Sequence, residues 1–210
     1  MEYFVLDTNL FFNMEAGLSL GQKTEEVVIN LTKIIKQLKK KAGFFMPPKA
    51  VDEFLSFFED KDQLFIKNFL SEINIESPDL SRSVFSSTIF YKLVEDVRSR
   101  NYRGLNIAEE EIEKAASEFS GKTTDSKKDF QIKIGSFIKK FRERYRNATR
   151  TGFLDSVTDL ELIVLAKQKE AFLVSTDEGV LNWGRVFGVK EMPSSIFAKR
   201  LESLLHSHQE

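Results

Sequence analysis

Two short apolar runs, far apart in the chain and each ending in a carboxylate loop, constrain the fold more than any other feature. Tyr3-Phe4-Val5-Leu6 leads into Asp7-Thr8-Asn9, and Phe172-Leu173-Val174 leads into Ser175-Thr176-Asp177-Glu178-Gly179. Apolar runs without polar alternation read as strands buried on both faces, and such strands belong to parallel sheets covered by helices. The segments around them agree. Val28, Leu31, Ile34, Ile35 and Leu38 predict a helix over residues 25–41, with lysines toward its C-terminal end and Gly43 as its stop. Phe44-Phe45-Met46 reads as a second strand, and Pro47-Pro48 opens a helix bearing Val51, Phe54, Leu55 and Phe58. A helix over residues 156–169 precedes the strand at Phe172. Strand and helix alternate at both ends, so the expected class is α/β with a parallel sheet flanked by helices.

The middle of the chain differs. Ile89, Phe90, Leu93, Val94 and Val97 predict a helix over residues 85–100, and residues 107–119 continue helically. A turn at 120–126 then precedes a helix running to residue 150. The expected organisation is one α/β domain, residues 1–80 and 151–210, interrupted by an inserted helical hairpin subdomain at 81–150.

Composition removes several chemistries. The chain has no cysteine, and its two histidines, His206 and His208, lie in the C-terminal tail. That excludes cysteine nucleophiles, disulfides, His-dependent triads and Cys/His zinc sites. Carboxylates, hydroxyls, lysine and bound metal remain. No apolar run approaches the roughly 20 residues of a membrane span, and the start is too short and acidic for a signal peptide, so a cytoplasmic protein is expected.

Four aspartates stand where the elements would bring them together. Asp7 and Asp177 follow strands, and ligands of open α/β sheets bind beyond the carboxyl ends of strands. Asp155 and Asp159 are four apart around the start of a helix whose body, Leu160 to Ala166, is too apolar for a surface helix. Glu161 lies in the same first turn, and Glu53 sits in the helix after the second strand. Each position has a local explanation: Ser156 with Asp159 as a helix cap, Asp7-Thr8-Asn9 as an Asx turn, Asp177-Glu178-Gly179 as a polar loop. Considered singly, those explanations are the stronger. Their joint placement favours a site, because converging carboxylates repel unless a divalent cation neutralises them. Oxygen-only ligands select magnesium, or manganese as its substitute, and such a site suits phosphodiester hydrolysis.

The charge distribution supplies a second constellation. Net charge is only −1, but residues 127–150 hold nine basic residues against Asp129 and Glu143, a local net of +7 that leaves −8 for the remainder. Arg142, Arg146 and Arg150 recur every four residues, with Lys140 and Arg144 beside them, and Ile134, Phe137, Ile138, Phe141, Tyr145 and Ala148 form the apolar stripe. A solvated basic face is as good a reading by pattern alone. The row runs directly into the Asp155 cluster, however, where it would hold a phosphate backbone. Of 25 aromatic residues 20 are phenylalanines, placed in apolar runs that suit a core. Tyr102 and Tyr145, flanked by arginines, are the candidates for base stacking, and Trp183 is expected to pack behind the last strand loop.

This combination resembles the PIN-domain nucleases, whose acidic residues gather at the C-terminal edge of a parallel sheet. Finer matches resemble one branch, the homologs of Aquifex RNase P (HARP). They are Phe4-Val5-Leu6-Asp7-Thr8, Gly104-Leu105-Asn106-Ile107-Ala108-Glu109-Glu110, Arg142 to Arg150, Gly152-Phe153-Leu154-Asp155-Ser156 and Val174-Ser175-Thr176-Asp177-Glu178-Gly179. The resemblance implies a PIN-like fold and a metal-dependent endoribonuclease that removes the 5′ leader of precursor tRNA, leaving a 5′ phosphate, with no catalytic RNA subunit. It implies metal-binding catalytic roles for Asp7, Asp155, Asp159 and Asp177, with Glu53 and Glu161 as further acidic positions, and RNA binding by Arg142, Arg146 and Arg150. It also implies a homo-oligomer assembled through the helical insertion. Two other readings stay open: a PIN ribonuclease acting on another RNA, toxin-type or in ribosomal-RNA processing, and a non-catalytic RNA-binding scaffold. The insertion counts against the first and the four aspartates against the second.

Overall fold

The computed structural model describes residues 1–13, 18–121, 126–154 and 156–206. The chain divides into two compact units, residues 1–85 with 154–210, and residues 86–153. In chain order the elements are β1 (Glu2–Leu6), α1 (Asn9–Phe12), α2 (Thr24–Leu38), β2 (Ala42–Met46), α3 (Pro48–Ser56), α4 (Leu64–Leu70) and β3 (Asn74–Ile75). The second unit holds α5 (Ser87–Phe119) and α6 (Lys127–Arg150). The first resumes with α7 (Val157–Gln168), β4 (Phe172–Ser175), α8 (Glu178–Val186), β5 (Lys190–Pro193) and α9 (Ser194–His206).

The five strands form one sheet in the order β3-β2-β1-β4-β5, with every pair parallel. From β1 the chain winds outward through β2 to β3, and later outward on the other side from β4 to β5. The winding therefore reverses between β1 and β4, which is where open α/β sheets leave a crevice for ligand. Asp7 and Ser175 end these two strands in adjacent register, since Leu6 pairs with Val174.

Buried phenylalanine holds the sheet to its helices. Phe4 of β1 stacks on Phe44 at 5.4 Å and on Phe172 at 5.7 Å, and meets Phe197 of α9 at 5.3 Å. In another cluster, Phe11 meets Phe54 and Phe69, each at 5.1 Å. Each fully buried ring contributes about 2–3 kcal/mol of transfer free energy. Trp183 is buried in α8, 6.4 Å from Phe187, so the aromatic residues of this unit are largely core.

Gly43 does not stop a helix. The helix ends at Leu38, and Gly43 is a strand residue paired with Tyr3. A Cβ there would come within 2.9 Å of the Tyr3 ring, so glycine is required by close approach across the sheet. The edge strands β3 and β5, together with α4, α8 and α9, complete the unit.

In the second unit the segments read as helical over residues 85–100 and 107–119 form one continuous helix of 33 residues, the first arm of the hairpin. Gly104, between those segments, makes room for α6: a Cβ there would meet the Tyr145 ring at 2.7 Å. Tyr145 thus touches α5 at Gly104 while staying 41% exposed, and Tyr102 is 66% exposed. No residue of α6 is fully buried, so the hairpin is held by a few anchors. Arg100, only 8% exposed, donates from Nη1 to the carbonyls of Thr149 at 3.1 Å and Thr151 at 3.0 Å. Its guanidinium lies 4.7 Å from the Phe153 ring centre. It therefore supplies donors to carbonyls at the C-terminal end of α6, which lack intrahelical partners. Arg100→Ala is expected to destabilise the hairpin by about 2–4 kcal/mol, seen as faster hydrogen exchange over residues 144–151. Unchanged exchange would show that the anchor holds nothing.

Candidate active site

Asp7 is the most constrained carboxylate at the reversal point. The start of the loop after β1 is fixed by the Asp7 amide, which donates to the Val174 carbonyl at 3.0 Å. The side chain, only 3% exposed, accepts from the Ser175 hydroxyl and, at 3.4 Å each, from the Asn9 amide and the Asn9 side chain. Ser175 is fully buried, and its Oγ also accepts from the Asp177 amide at 2.9 Å. One hydroxyl thus links the loops after β1 and β4. Asp177 in turn caps α8, its Oδ1 accepting from Gly179 N at 2.6 Å and Val180 N at 3.3 Å. The cap uses Oδ1, so Oδ2 is the oxygen Asp177 can offer a cation.

Burial pushes the Asp7 carboxyl up to about 6 from its ordinary 3.8. The donors from Ser175 and Asn9 oppose that rise, and the nearby Glu53 charge adds to it. Glu53 is itself raised by partial burial of its carboxyl. Two acidic groups that each resist ionisation beside the other form an environment that a cation relieves. The donor set is all oxygen, which fits a hard divalent ion.

The other candidates are placed as follows. Asp159 sits in the first turn of α7, where Ser156 Oγ accepts from the amides of Thr158 at 3.0 Å and Asp159 at 3.4 Å. Asp155 lies outside the described residues. Glu161 is largely buried and paired with Lys49 Nζ at 2.5 Å. Among the described residues no three acidic side chains form a ready-made cation cage; the contacts join Asp7 to Asp177 through Ser175, and the Glu53 charge is felt at Asp7. The local explanations also hold: Asp7 makes an Asx-type contact, Ser156 caps α7 and Asp177 caps α8. Capping and a site coexist, because a cap orients the same carboxylate that a ligand would need.

Sequence reasoning missed the roles of Ser175 and Lys49, whereas Asn9, two residues after Asp7, belongs to the Asx turn read from the sequence. Ser175 and Lys49 act through partners 168 and 112 residues away, and no local signal marks them. On α6, Arg142, Arg146 and Lys140 are exposed, whereas Arg144 bonds Glu110 at 2.8 Å and also Glu111. Those bonds raise Arg144 and hold both glutamates below the usual carboxylate range. Arg144 is thus committed to the hairpin.

The Asp7 environment makes stability depend on pH. Folding raises this carboxyl from 3.8 to about 6, so the metal-free fold binds the proton more tightly than the unfolded chain does. Its stabilising effect is complete below about pH 4 and is lost as pH rises through 6, a loss of about 2–3 kcal/mol by pH 7. In chelator, Asp7→Asn is therefore expected to melt progressively higher than the parent between pH 4.5 and 7.5. Parallel melting curves would contradict the burial of this charge.

The fold and this edge define a class. The sequence pattern of a family described as PINc domain ribonuclease matches residues 3–206. The chain is also 31% identical over 203 residues to the RNA-free ribonuclease P of Thermococcus kodakarensis, covering 96% of this chain and 95% of that one. It is 32% identical over 186 residues to that of Thermodesulfovibrio yellowstonii (89% and 86%) and 34% identical over 206 residues to that of Nitrosococcus oceani (97% and 96%). The chain belongs to the PINc domain ribonuclease family, in the group of the RNA-free ribonuclease P proteins. It is an endoribonuclease. None of its described helices is long and apolar enough to cross a membrane.

Proposed function

We propose that this ribonuclease removes the 5′ leader of precursor tRNA, leaving a 5′ phosphate on the tRNA, and that it does so in the cytoplasm without a catalytic RNA subunit. The observation that carries the reading is the similarity to RNA-free ribonuclease P proteins across nearly the whole chain, helical insertion included. Asp7, Asp155, Asp159 and Asp177 would hold magnesium, for which manganese can substitute, with Glu53 at the periphery. A divalent ion bound there would activate water and offset the charge that develops on the scissile phosphate. Ser175 and Asn9 keep the Asp7 carboxylate oriented, and Asp177 is oriented by the first turn of α8.

Arg142, Arg146, Arg150 and Lys140 would contact the RNA backbone, while Arg144 contributes through Glu110 and Glu111. The hairpin is the assembly element of a homo-oligomer in this reading. Phe90, Tyr91, Val94, Leu105, Ile112 and Ile132 are exposed on it and would be available to such an interface.

The test compares substrates. Purified protein in magnesium is given precursor tRNA, a ribosomal-RNA fragment and a structured messenger fragment. Precursor tRNA is expected to win by at least about a hundredfold in kcat/KM. Equal cleavage of the three would point to a ribonuclease serving another RNA.

A further inference from the structure

The ion pair between Lys49 and Glu161 occupies a place that neither helix explains alone. Glu161 is 9% exposed and precedes the buried apolar stretch Leu162 to Ala166 of α7. A carboxylate there must be paired, because burying an unpaired charge is strongly unfavourable. Its partner, Lys49 Nζ at 2.5 Å, comes from the first turn of α3. Lys49 stands one turn before Glu53, and Glu161 two residues after Asp159. The next residue of α3, Ala50, receives a second tie: its carbonyl accepts from Thr8 Oγ1 at 3.1 Å in a buried bond. The first turn of α3 is therefore held both by the residue that follows Asp7 and by the helix that carries Asp159.

We propose that Lys49 and Glu161 are positioning residues, a charge latch that fixes α7 against α3 and thereby sets Asp159 relative to Glu53 and Asp7, and that Glu161 is a ligand of Lys49 and not of the metal. An ammonium group at hydrogen-bond distance already neutralises this carboxylate, and a divalent cation on the same group would be repelled by it. The importance of that spacing rests on the proposed metal-dependent ribonuclease site. Sequence position alone groups Glu161 with the acidic candidates, whereas its contact separates it from them.

The experiment uses the full chain and three variants: Lys49→Met, Glu161→Gln and the exchange Lys49→Glu with Glu161→Lys. Four quantities are read: kcat and KM on precursor tRNA, manganese affinity by calorimetry, and melting temperature. Each single variant is expected to lower kcat about tenfold and to weaken manganese binding to the same extent as the other, while KM stays within about threefold. The exchange variant is expected to recover at least about half of the lost rate and of the lost melting temperature, because the two effects are coupled through one contact. A metal-ligand role predicts otherwise. Glu161→Gln would then weaken manganese binding by more than about tenfold, Lys49→Met would not, and the exchange would restore nothing. Either a manganese defect confined to Glu161→Gln or an exchange variant no better than the singles overturns the latch. If the parent protein fails to cut precursor tRNA, the substrate reading falls, and the manganese titration with the melting comparison still decides the latch.

Discussion

Replacing Asp7 by Asn is expected to lower kcat by at least about a thousandfold in magnesium, the scale seen when a group that stabilises developing charge is removed. Binding of precursor tRNA, measured with calcium in place of magnesium, is expected to stay within about threefold, since a buried carboxylate makes no uniform contact with the substrate. The reason lies in the environment of that carboxyl. Burial and the Glu53 charge oppose its ionisation, yet the loop devotes three hydrogen bonds to orienting it. A carboxylate kept charged at neutral pH against its surroundings is one whose penalty a bound cation would relieve. The same substitution removes the penalty of the buried charge, so the inactive variant should be the more stable protein in chelator. Loss of activity joined to gain of stability separates a functional carboxylate from a structural one, for which both would fall together.

The arginine row gives the second large effect. Arg142→Ala, Arg146→Ala and Arg150→Ala combined should weaken RNA binding by about a hundredfold or more at low salt. The dependence of log affinity on log salt should flatten by about 2–3, close to one for each phosphate no longer neutralised. At saturating RNA, kcat should change little. The spacing of four places these side chains about 6 Å apart along α6, on a helix whose solvent-facing surface is basic. Arg144→Ala should behave differently. Its guanidinium is bonded to Glu110 and Glu111, so its removal should loosen the hairpin and leave the salt slope nearly unchanged. A triple variant that keeps the parent slope would remove α6 from the RNA interface.

What the sequence could carry was decided by how local each signal is. The strands β1 and β4 are legible because both are apolar runs closed by acidic loops, and α7 because its body is too apolar to face water. The sheet edges are not: β3 is two residues long, and β5 reads Lys-Glu-Met-Pro, so their pairing comes from neighbours rather than from their own pattern. Gly43 reads as a helix stop because glycine weakens helices, and Gly104 carries no structural signal of its own. Each glycine is instead fixed by a tyrosine ring from another element, a tertiary cause that propensity does not contain. At the site, the individual aspartates stand out, but the Ser175 bridge between Asp7 and Asp177 depends on the register of two strands separated by most of the chain. The same holds for Lys49 and Glu161. Arg144 and Arg142 look alike in sequence, and only the position of Glu110 and Glu111 on α5 tells them apart.

The central claim is metal-dependent hydrolysis at the 5′ end of tRNA by this protein alone. Precursor tRNA labelled at its 5′ end, incubated with the pure protein in magnesium or in chelator, tests it most directly when the cut and the new ends are mapped. The account predicts one cut at the mature 5′ end in magnesium only, with phosphate on the tRNA and a 3′ hydroxyl on the leader. An intact precursor in magnesium, cutting that persists in chelator, or a cyclic phosphate on the leader would contradict it.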